Sequence, residues 1–101
     1  MTKRSDIIVI ARATAKPGDE RALEQALRAV AAPTRKQPGC MEFQLLRDAS
    51  EPSVIVGFER WASEADHQKH LAGPHVRELM RRMAPILAAP PSIASYEMLD
   101  A

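Results

Sequence analysis

Residues 53–61 read SVIVGFERW, and the alternation within them decides the fold. Successive side chains of an extended chain point to opposite faces, so Val54, Val56 and Phe58 share one face and Ile55, Gly57, Glu59 and Trp61 the other. Both faces carry apolar groups. A strand of this kind belongs inside a sheet that is covered on both sides.

Upstream, Asp48 to Pro52 has turn chemistry, and before it Met41, Phe43 and Leu45 alternate with Glu42 and Gln44 from Cys40 onward. The pair reads as an antiparallel hairpin. Further back, Ile7 to Ala15 opens with β-branched residues and then sets Ala11, Ala13 and Ala15 against Arg12 and Thr14, a first strand. Lys16-Pro17-Gly18 breaks it. Asp19 and Glu20 then place negative charge where a helix N-terminus is partially positive. Leu23, Ala26, Leu27 and Val30 follow at i, i+3, i+4 and i+7, a single apolar stripe. Pro33 should kink or fray this helix before Arg35 and Lys36 close it, and Pro38-Gly39 turns the chain out.

Downstream, Ser63 and Asp66 form a capping pair for a short helix through Leu71, with Gly73 as its stop and Pro74 opening another. In that next helix Val76, Leu79, Met80, Met83 and Leu87 make the inner stripe, while Arg77, Glu78, Arg81 and Arg82 face water. Pro85, Pro90 and Pro91 end it, and a last strand runs from Ser92 to Leu99. The order strand, helix, strand, strand, helix pair, strand predicts an α+β, ferredoxin-like split βαβ sandwich with an antiparallel sheet. Two helical layers cover only one sheet face, so the other predicts a homodimer, sheet against sheet. The alternative is a monomer with a flatter sheet.

At 101 residues the chain fits one domain, 1–101, with residues 1–5 expected to be flexible. Hydrophobic residues make up 46% and charged ones 27%, the balance of a folded globular protein. The net charge is +1 with basic residues scattered among acidic ones, which argues against a nucleic-acid partner. The apolar run Ile7 to Ala11 is too short for a signal-peptide core or a membrane span, so no membrane partner and a cytoplasmic location are expected. Cys40 is the single cysteine and reads as a small buried hydrophobe.

The segment Glu59, Trp61, Ser63, Ala65, His70, Pro74, His75, followed by a helix and Leu87-Ala88-Ala89-Pro90-Pro91, resembles the antibiotic biosynthesis monooxygenase family, in particular its quinol monooxygenase branch. Lys16-Pro17-Gly18, Pro38-Gly39-Cys40 and the Glu-x-Trp ending the third strand extend the likeness over nearly the whole chain. The resemblance implies a dimeric α/β barrel and oxygenation of phenolic or quinol-like substrates without metal or flavin, hence no cofactor. The same fold hosts haem degradation and an isomerase. The Asn and the ligand His of the haem-degrading branch align with Ala11 and Met80 here, which sets haem aside.

His70 matches the family's recurrent His and is the candidate general base, because an imidazole titrates near neutrality. It could instead simply bond a backbone group. Glu59, on the face of Trp61, would orient His70 or bond a substrate hydroxyl; otherwise it pairs with Arg60 or Arg77. Trp61 offers a flat wall for an aromatic substrate or serves as a packing anchor. His75, beside the start of the third helix, could meet an anion or cap that helix. Tyr96 could bond across the dimer or line the pocket. His67, His70 and His75 lack a fourth ligand and a recognised spacing, so no metal is expected.

The expected function is cofactor-independent oxidation of a small hydroquinone or polyphenol by O2. The alternatives are an isomerase or lyase of a small carbonyl compound that uses the same His, and a non-catalytic dimeric binding protein.

Overall fold

The computed structural model describes residues 6–100, so the expectation of flexibility at 1–5 falls outside it. In chain order come β1 (Ile7–Thr14), α1 (Glu20–Arg35), β2 (Cys40–Arg47), β3 (Val54–Trp61), α2 (Glu64–Ala72), α3 (Pro74–Met83), a 3-10 turn (Ala84–Ile86) and β4 (Ser92–Glu97). The sheet runs β2-β3-β1-β4, and each neighbouring pair is antiparallel. This is the ferredoxin-like order expected. Among the described residues no helix is long and apolar enough to cross a membrane.

The register sorts the side chains. Val9 lies opposite Glu59, Ala11 opposite Gly57 and Ala13 opposite Ile55, and directly opposed residues share a face. Val9, Ala13, Ile55, Glu59 and Trp61 are all buried on the face toward the helices. Leu23 of α1 is fully buried in the cluster with Ala13, Ala15, Ala26, Ile55 and Met83. Burying a leucine of this kind contributes about 1.5–3 kcal/mol. On the reverse face Ile10, Val56 and Phe58 are half-buried, while Leu46 and Tyr96 are each 51% exposed.

Pro33 sits in the last turn of α1, where losing one N–H costs little. The helix tightens there: Lys36 N–H donates to Pro33 O and Gln37 N–H to Thr34 O. Gln37 is therefore delivered at a fixed point just past the helix end. Gly39 follows with φ +87, and a Cβ on it would overlap the Asp66 carboxyl group. Asp66 is itself pinned at the start of α2, its N–H donating to Ser63 Oγ at 3.1 Å while Ser63 Oγ donates to Asp66 Oδ2 at 2.9 Å.

Three expectations need correction. Met41 does not pack beside Phe43: a bulge sets Cys40 opposite Trp61 and Glu42 opposite Arg60, leaving Met41 as the extra residue, 57% exposed. The third helix ends at Met83, so Leu87 is not on its stripe; beyond the 3-10 turn Leu87 is extended and bridges to Ala15. Of the predicted stripe only Met83 is fully buried, and Met80 is 42% exposed. Finally, β4 stops at Glu97, and all six of its residues are exposed.

Candidate active site

β3 carries Glu59 and Trp61 two residues apart, hence on one face. α2 lies over that face and places His70, late in the helix, against them. Trp61 is fully buried, and its indole N–H donates to Glu59 Oε1 at 2.8 Å. The His70 ring tilts over Trp61 with centroids 4.8 Å apart. His70 Nε2 is 4.0 Å from Glu59 Oε1, close enough for a charge contact but too far for a direct hydrogen bond. Its other nitrogen, Nδ1, donates to Gln37 Oε1 at 2.5 Å. Since an amide oxygen only accepts, this bond places the proton on Nδ1 and leaves the Nε2 lone pair turned toward Glu59.

The electrostatics follow from burial. His70 is 5% exposed and Glu59 6% exposed. Loss of water drives the His70 imidazole down to about 4, and the nearby His67 and His75 push in the same direction. Burial also pushes the Glu59 carboxyl above the usual range, with the Trp61 N–H opposing. The expectation that His70 titrates near neutrality is thereby corrected: burial leaves a neutral imidazole that is a weaker base than a free one, facing a carboxyl group that resists ionisation. Among the described residues no arginine pairs with Glu59. Arg60 reaches Asp6 instead, at 3.9 Å.

Glu59 and His70 stand in the wall of a cavity of about 80 Å³ between the helices and the sheet. Around them the wall is mostly apolar, including Ala11, Phe43, Leu79, Met80 and Ile93. Arg12 reaches the rim, where Asp48 at 3.6 Å and Glu51 at 4.0 Å face its guanidinium.

The other proposed site residues stand elsewhere. Trp61 is not in the cavity wall; it lies behind Glu59 and His70, as their support. His75 is exposed and borders a separate groove between α1 and α3 with Ala29, Glu78 and Arg82. Tyr96 lies opposite Ile8, whose face of β1 points away from the helices, so Tyr96 cannot line this cavity. Among the described residues no group of three or more His, Cys, Asp or Glu side chains is placed to hold a metal ion.

Two residues join the site that sequence reasoning did not place there. Gln37 is 33 positions from His70, and nothing local in the sequence relates them. In the sequence His67 enters only as a possible metal ligand. It is 3% exposed, its ring centroid 6.0 Å from Trp61 and 6.3 Å from His70. Its i, i+3 spacing to His70 was the available signal. Cys40, half-buried, has its thiol pushed up by burial first and by the charge of Glu59 second.

The split βαβ domain thus places a carboxyl group and an imidazole in the wall of one small, mostly apolar cavity. The family model for antibiotic biosynthesis monooxygenase matches residues 6–82, and the chain belongs to that family. Over 96 residues it is 29% identical to "Putative monooxygenase Rv0793" of Mycobacterium tuberculosis, covering 95% of this chain and 94% of that one. The solved structure of Rv0793 superposes with a TM-score of 0.90 at 30% identity, covering 96% of this chain and 98% of that one. PA3566 from Pseudomonas aeruginosa superposes equally well, with a TM-score of 0.90 at 28% identity over 99% and 100% of the two chains. The uncharacterised protein sll1783 of a Synechocystis strain is 24% identical over 94 residues; the match covers 93% of this chain but only 64% of that longer one.

Proposed function

We propose that the protein is a cofactor-independent monooxygenase that oxidises a small hydroquinone or polyphenol with O2, His70 acting as general base and Glu59 as its partner. The observation that carries this reading is the neutral His70, its Nε2 lone pair turned toward Glu59 across a 4.0 Å gap in an apolar cavity. A substrate hydroxyl set between the two could donate to the imidazole Nε2 and would have the Glu59 carboxyl group beside it as a second hydrogen-bond partner.

Transfer of the phenolic proton to Nε2 leaves an electron-rich anion in a dry site. That anion reduces O2 by one electron, and recombination forms a bond between a ring carbon and oxygen. The imidazolium returns its proton to the peroxide. The O–O bond then breaks as the C–H proton leaves, releasing water. A hydroquinone plus O2 thus becomes a hydroxyquinone plus water, with both electron pairs drawn from the substrate. The protein's share is proton transfer, exclusion of water and orientation. A second chain, sheet face to sheet face, would cover Ile10, Val56, Phe58 and Tyr96 in the working form.

The test is enzyme-dependent oxygen uptake over a panel of hydroquinones, catechols and anthrones, corrected for autoxidation. His70→Ala should lower turnover roughly 100-fold or more while the circular dichroism spectrum is unchanged. Full activity in the variant removes His70 from the mechanism. Turnover of a carbonyl compound that persists without oxygen would favour the isomerase or lyase instead, since a neutral imidazole beside a carboxyl group whose ionisation burial opposes also suits a proton shuttle. Ligand binding with no product would favour a binding protein.

A further inference from the structure

The cavity that holds Glu59 and His70 is too small for the substrate it is proposed to take. Its volume of about 80 Å³ is roughly half that of the ~150 Å³ apolar cavity known to take up benzene. A phenolic ring must therefore displace a wall or extend through one.

One wall suits both. Met80 and Pro91 border the inner cavity and also a second, outer pocket of about 410 Å³. Met80 is 42% exposed, and a methionine side chain is unbranched, with several rotatable bonds, so it swings aside at little cost. The outer pocket is made otherwise of Ala84, Leu87, Ala88, Ala89 and Pro90. None of these side chains carries a polar atom or a charge. Ala84, Ala88, Ala89 and Pro90 are exposed, so the pocket is open to an incoming ligand. The two spaces thus differ in kind. The inner one ends on a carboxyl group and an imidazole, whereas the side chains of the outer one offer only apolar contact.

We propose that the substrate is a single phenolic or enolic ring bearing an apolar chain, the ring's hydroxyl set at Glu59 and His70 and the chain passing between Met80 and Pro91 into the outer pocket. This assignment rests on the reading of the inner cavity as the substrate site. It makes the outer pocket a determinant of specificity by length and hydrophobicity. Charged substituents are disfavoured there relative to an alkyl chain, because no side chain of the wall carries a compensating charge.

The test is the dissociation constant of 2-alkylhydroquinones, from methyl to heptyl, measured calorimetrically without oxygen on the full chain, with oxygen uptake measured in parallel. Affinity should rise about four-fold per methylene over the first several carbons. Ala88→Trp, a change at an exposed position, should fill the outer pocket and abolish that rise. An affinity independent of chain length, or a rise identical in Ala88→Trp, overturns the proposal. Chain-dependent binding without oxygen uptake for any compound supports the pocket and sinks the oxygenase reading. Oxygen uptake indifferent to chain length does the reverse.

Discussion

β3 and β4 flank the same strand, β1, and differ in almost everything else. On β3 every helix-facing residue from Ile55 to Trp61 is buried, and Val54 is buried on the other face. On β4 all six residues are exposed. The helices of the chain reach over β3 and stop short of the edge. Where they reach, water is removed, and an ordinary glutamate and histidine acquire altered acidities. Where they do not, Ile93 at 49% exposure and Tyr96 at 51% keep large surfaces for a ligand or another chain. The perturbed acidities are concentrated on and beside the covered strand, and the exposed apolar surface on the uncovered one.

The sharpest way to break this contrast is at Trp61. Trp61→Ala removes the largest fully buried side chain and the donor to Glu59, so chemical denaturation should show a loss of about 3–5 kcal/mol. A loss below about 1 kcal/mol would mean that Trp61 is not the packed support of Glu59 and His70.

Next in size is a pH effect. The folded His70 value of about 4 lies below its ordinary 6.5, so the folded state binds this proton less readily than the unfolded chain. The stability it permits above pH 6.5 is lost as pH falls toward 4, by up to about 3 kcal/mol. His67, lowered by burial as well, adds in the same direction. Glu59, raised, works oppositely, losing stability as pH rises above its ordinary 4.5. His70→Gln should flatten the acid limb of the denaturation midpoint; an unchanged limb would assign the effect to other groups.

The smallest effect belongs to β4. Tyr96→Ala should cost no more than about 0.5 kcal/mol at nanomolar chain, and visibly more at micromolar concentrations where the proposed sheet pairing is populated. An equal cost at both concentrations takes Tyr96 out of the pairing face.

The parts of the fold legible in the sequence are those with strong period. Alternation along 53–61 suffices to put Glu59 and Trp61 on one face, and the Leu23 stripe fixes which side of α1 is buried. The misplacements have local causes. The bulge at Met41 preserves an apolar-polar look while shifting the parity of the strand. The helical spacing of Leu87 continues through residues 84–86, where the chain has already tightened around Pro85. On β4, Ile93, Ala94, Ser95 and Tyr96 show little contrast between faces, so only the pairing register reveals that Tyr96 turns away from the cavity. Of the site, the local constellation of Glu59, Trp61 and His70 is readable. Gln37 is not, because only tertiary closure brings it to His70.

That closure depends on the turn at Gly39. Asp66 presses against the bare α-carbon there, and Ala62 N–H donates to Gly39 O at 2.7 Å. Gln37 stands two residues before this clasp and His70 four residues after Asp66. One glycine without a functional group therefore sets the alignment between an imidazole and the amide that chooses its tautomer. A methyl group at Gly39 would disturb that pairing from a distance, without touching the cavity wall.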